Sequence, residues 1–159
     1  MAFAVLPLMV VFFWLSLSVI GWQQAQAVPG AGPAGMLEAR AIVTAQRAEM
    51  FGTSCVTAAL AAPGFISQSL PVTLPPGVVL PTGAVCMTTA APGNGRNVYA
   101  LLPAQPGAYG RVRNDTQSNV SWFRVVSAGT ASNLATGEVA AVPATIPVGY
   151  LLNWVQTSS

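Results

Sequence analysis

Two cysteines and ten charged side chains carry nearly all the chemistry this sequence could perform. Cys55 and Cys86 are the thiols, the acids are Glu38, Glu49, Asp115 and Glu138, the six basic residues are all arginine, and histidine is absent. General acid–base catalysis and hard-metal binding need neighbouring carboxylates or an imidazole, and no two acids lie close in sequence. A catalytic thiol pair needs C-x-x-C spacing or a histidine partner, and the chain has neither. GNGRN at 93–97 is a lone glycine pair without a following helix signal, so it reads as a turn and not as a phosphate loop. A net charge of +2 is too small a footprint for nucleic acid. Arg111, Arg113 and Arg124 read as solvated surface, with local ion pairing to Asp115 as the simplest account. These observations predict a protein that is not an enzyme and has no cofactor, no metal, no nucleic-acid partner and no small-molecule substrate.

The elements that must position these residues begin with a charge-free opening. Residues 2–22, AFAVLPLMVVFFWLSLSVIGW, hold no ionisable side chain. About 20 helical residues cross a hydrocarbon core of ~30 Å, so a transmembrane anchor is expected over 1–23. Trp22 falls where an interfacial indole is favoured. The competing reading is a secretory signal cut after Ala27, on the strength of Ala25-x-Ala27, but a charged n-region is missing and the apolar run is long. A Pro/Gly-rich linker is expected over 24–35.

From Met36 to Ser159 the pattern predicts one α+β domain. MLEARAIVTAQRAEMFGTSCVTAALAA is rich in helix formers and free of proline, and Pro63-Gly64 should end it. Met36, Ala39, Val43 and Met50 mark an apolar stripe on this helix, expected to pack on the core or, where uncovered, to dock a partner. Arg40, Val43 and Arg47 form the candidate docking face. Short β-like runs follow at 78–80, 84–88, 98–102, 120–127, 138–142 and 149–156, separated by Gly, Pro and Asn. Alternation in VSWFRVVS puts apolar residues on both faces, as a central strand requires. An amphipathic helix on a short-stranded antiparallel sheet is the expected architecture. In an exported chain Cys55 and Cys86 should form a disulfide joining helix to sheet, whereas in a reducing compartment they would be buried thiols. Closing a loop of about 30 residues is worth roughly 3–4 kcal/mol.

The order of features is itself distinctive: AAPGF (61–65) after the helix, LPPGV (74–78), VYALLP (98–103), SNVSWFRVVSAG (118–129), GEV (137–139) and ATIPVGYLLNW (144–154). This order resembles the PilM family of type IVb thin-pilus systems. The resemblance rests on Pro63, Gly64 and Phe65 and on the P-x-x-I-P-x-G of Pro143, Ile146, Pro147 and Gly149. It implies a non-catalytic accessory protein of pilus biogenesis and conjugation, part of the pilin-transport apparatus or pilus base. Such a protein sits in the bacterial inner membrane with its domain in the periplasm, and works through protein–protein contacts with other assembly proteins. Two alternatives stand beside it. One is a pilin-like minor subunit of the fibre, although a basic leader and a fifth-position Glu are missing. The other is a secreted binding module released after Ala27.

Overall fold

The computed structural model describes residues 9–16, 18 and 32–158. The chain divides into two compact units, Met1–Ala39 and Arg40–Ser159. In the first, residues 9–16 are helical (α1), with exposed side chains. Helix α2, Pro33–Ala61, starts in this unit. Proline suits the first helical position because its missing N–H has no intrahelical acceptor there, and the Gly32 carbonyl accepts from Met36 N–H at 3.1 Å.

The transmembrane helix expected over 1–23 requires correction. Among the described residues no helix is long and apolar enough to cross a membrane. The longest described helix, α2, has 29 residues but carries Glu38, Arg40, Arg47 and Glu49. The remainder of 1–23, and the proposed cut after Ala27, lie outside the described residues.

The second unit is an α+β domain on one antiparallel sheet. Its strands are β1 (Val85–Ala90), β2 (Gly95–Pro103), β3 (Trp122–Ser127), β4 (Thr130–Asn133), β5 (Val139–Ala141) and β6 (Tyr150–Ser158), and a short helix α3 (Ala108–Asp115) sits between β2 and β3. The spatial order is β1-β2-β6-β3-β4-β5. β2 and β6 pair over nine residues, Gly95 with Ser158 through Pro103 with Tyr150.

Alternation divides the core into two layers. Val98, Ala100, Leu102, Trp122 and Leu151 point to the side of α2 and meet Ala45, Ala48, Phe51, Cys55 and Ala59. Tyr99, Leu101, Val125 and Leu152 point to the other face, where Val142 and Ile146 cover them. β3 is indeed interior, between β6 and β4.

Three local expectations change. Residues 78–80 form no strand: Val78 N–H closes a turn onto Pro75, Gly77 has φ +83°, and Val79 and Leu80 are exposed. Flanking prolines remove the donors a ladder would need. β4, TASN, has no apolar run to announce it. Helix α3 follows Gly107 at φ +84° and contains Gly110, so its propensity is poor; burial of Ala108 and Val112 holds it.

Candidate functional site

The disulfide is formed, with Cys55 and Cys86 both buried and their Cα atoms 5.6 Å apart. It fastens the last third of α2 to β1, within the main core.

The apolar stripe of α2 faces the other way from the core expectation. Ala41, Ala45, Ala48, Phe51, Gly52, Cys55 and Ala59 are the buried positions, whereas Met36, Ala39, Val43 and Met50 are exposed. The reason is steric: small side chains let the helix approach the sheet, and Phe51 fills the remaining width. Arg40, Val43 and Arg47 share one exposed flank at helical spacing. Arg47 also borders a shallow cleft of about 250 Å³ with Thr44, Pro81 and Gln105.

The two short motifs lie in different layers. Pro63, Gly64 and Phe65 form the turn that ends α2, with Gly64 at φ +71° and Phe65 exposed. Pro143, Ile146, Pro147 and Gly149 belong to the connection over the opposite face, where Ile146 is buried. Gly149, at φ +83°, donates its N–H to Val125 O at 2.9 Å and accepts the Tyr109 hydroxyl at 2.6 Å. Tyr109 has its pKa raised by burial, with the Arg124 guanidinium over its ring opposing that shift.

Arg96 lies within the GNGRN turn signal, where no local pattern marks it as a buried residue. It is buried, and β2 carries it beneath the end of α2. Nη2 donates to Ala59 O and Nη1 to Ala62 O, both at 2.6 Å, and Nη1 reaches Phe65 O at 3.1 Å. Ala59 O and Ala62 O also accept Ala62 N–H at 3.2 Å and Phe65 N–H at 3.3 Å, and a cation at this helix end complements the helix dipole. Thr88 anchors the same turn, accepting Ser67 N–H at 2.8 Å and donating to Phe65 O at 2.9 Å. Together with Thr88 N–H to Ser67 O and Leu70 N–H to Cys86 O, these bonds shield the outer edge of β1.

A concavity that bears an acid lies on the opposite flank of α2 from Arg40 and Arg47. A cleft of about 430 Å³ is walled by α2, by the segment after α3 and by β3 and β6. Glu49, Gly52 and Thr53 come from the helix, Thr116 and Asn119 from the turn, and Trp122 and Asn153 from the sheet. Glu49 Oε1 is buried without a hydrogen-bond partner. Its pKa is raised, first by desolvation and then by the Asp115 carboxylate, with Arg111 opposing. Arg111 itself pairs with Asp115 at 2.9 Å, one turn apart, as the sequence suggests. Sequence reading could not find this cleft, because its walls come from four separated segments. Among the described residues no group of three or more His, Cys, Asp or Glu side chains could hold a metal ion.

No family model matches the chain, and no curated protein or solved structure matches it either.

Proposed function

We propose that this chain is a non-catalytic accessory protein of type IVb pilus biogenesis, acting through protein–protein contacts on the periplasmic side of a bacterial envelope. The observation that carries the docking part is the Arg40–Val43–Arg47 flank: two guanidinium groups and an apolar side chain exposed in a row on a helix that is held rigidly from behind. The disulfide clamps that helix to β1, and the Arg96 bonds hold its end. A surface so fixed loses little conformational entropy on binding. The disulfide also favours an oxidising compartment, and the PGF and P-x-x-I-P-x-G motifs supply the link to pilus systems. Arginine is over-represented at the energetic centres of interfaces, so charge reversal on this flank is the direct test. Arg40→Glu with Arg47→Glu, both at solvent-facing positions, should abolish pilus assembly and co-purification of assembly proteins while leaving the melting temperature unchanged. Full assembly and unchanged co-purification in that double variant overturn the assignment of this face.

A further inference from the structure

We infer that the cleft beside Glu49 is a socket for a cationic side chain, guanidinium or ammonium, presented by a partner protein. Its volume of about 430 Å³ lies within the range of roughly 300–1,000 Å³ typical of ligand sites. The walls are rich in hydrogen-bonding groups, and those beside Glu49 on α2 and the turn after α3 have their hydroxyl donors already used. Thr53 Oγ1 donates to Glu49 O at 3.0 Å, Thr57 Oγ1 to Thr53 O at 2.9 Å and Thr116 Oγ1 to Val112 O at 2.7 Å. Asn153 Nδ2 donates to Ser121 Oγ at 2.9 Å. What this part of the wall has left to offer is acceptors: threonine lone pairs and the unpartnered Oε1 of Glu49, the one charged residue lining the cleft. A ligand that only donates, as an ammonium or guanidinium does, complements such a wall.

Charge points the same way. Glu49 and Asp115 face a single guanidinium, that of Arg111, so the local balance is negative. The cleft is open to solvent, so it cannot enclose a free molecule as small-molecule sites do. A side chain delivered by a surrounding protein interface needs no such enclosure. This choice of a protein source rests on the docking reading, but the socket itself does not involve the Arg40–Arg47 flank. Failure of either leaves the other standing.

The test uses the full-length ¹⁵N-labelled chain titrated with N-acetyl-arginine amide, and with the isosteric neutral N-acetyl-citrulline amide. The expected result is saturable shifts confined to Thr53, Thr116, Asn119 and the Trp122 indole, with millimolar affinity for the cation. Because a charge-assisted bond is about twice as strong as a neutral one, binding should weaken by about tenfold for the citrulline compound and for Glu49→Gln. Equal affinity for the charged and neutral compounds overturns the proposal, and that comparison needs no variant. So does an affinity unchanged in Glu49→Gln, or the absence of saturable shifts.

Discussion

Arg96 Nη2 lies 2.6 Å from the carbonyl oxygen of Ala59, so a fully charged side chain from the second strand closes the last turn of the long helix. The guanidinium is buried without a carboxylate beside it, and its negative partners are backbone dipoles. Its Nε has no acceptor, which leaves the five N–H donors of this group incompletely used and makes the three carbonyl contacts its main support.

Removing this guanidinium should therefore be costly. Arg96→Met removes three charge-assisted bonds and leaves the carbonyls of Ala59, Ala62 and Phe65 to Ala62 N–H, Phe65 N–H and the Thr88 hydroxyl in a place water reaches poorly. Hydrogen bonds to charged groups contribute about 1.5–3 kcal/mol each. A loss of roughly 3 kcal/mol is expected in urea unfolding. Arg96→Lys should recover only part of it, because a single ammonium cannot span the carbonyls that the planar fork reaches.

Reduction of the disulfide provides a second measurement. The loop between Cys55 and Cys86 spans 31 positions. In the chain-entropy account its closure contributes about 3–4 kcal/mol. The Cys55→Ala, Cys86→Ala double variant should lose that amount in denaturant unfolding, and dithiothreitol should add no further loss to it. Peptide mapping of exported protein under non-reducing conditions should recover the two cysteines in one linked fragment.

Gly52 offers a stabilising change. It sits inside α2, where glycine costs about 0.5–1 kcal/mol relative to alanine. A Cβ added there meets Trp122 at 3.4 Å and Asn153 at 3.5 Å, ordinary contact distances. Gly52→Ala should raise stability by about 0.5–1 kcal/mol, read as an upward shift in melting temperature. A loss of stability would mean that the helix cannot hold even this contact against the sheet.

Glu49 gives the domain a pH signature of known sign. Burial first, and the Asp115 carboxylate second, raise its pKa above the ordinary value of 4.5, with Arg111 opposing. The folded protein thus holds the proton more tightly than the unfolded chain does. Stability then falls as pH rises from near 4.5 through the raised folded value, and the penalty is complete above it. Glu49→Gln should be more stable than the parent at pH 7, and the advantage should shrink as pH falls toward 4.5. Thermal melts of both proteins across that window read the difference directly. A Glu49→Gln variant less stable than the parent at pH 7 contradicts this account.

The sequence alone determined those features that depend on near neighbours. Alternation placed Trp122 and Phe123 on opposite faces and made β3 interior, since side chains reverse at every residue of a strand. The same rule separated Leu151 from Leu152 in β6. Pro63-Gly64 announced the end of α2, because proline cannot continue a helix and glycine tolerates φ of +71°. The cysteine pair was legible from its count and setting, and the Arg111–Asp115 contact from its one-turn spacing.

Tertiary structure decided the rest. Which side of α2 is buried could not be read from hydrophobicity, because the choice turned on how closely a helix can lie against the sheet. Alanines permit close approach, so they line the core, and the bulkier Val43 and Met50 stay outside. Arg96 looks like a turn residue until β2 is seen passing under the helix end, and Glu49 looks like a solvated acid until Asp115, Trp122 and Asn153 are gathered around it. Backbone preference and periodicity act over a few residues, whereas desolvation and unpaired polar atoms arise only when distant segments exclude water together.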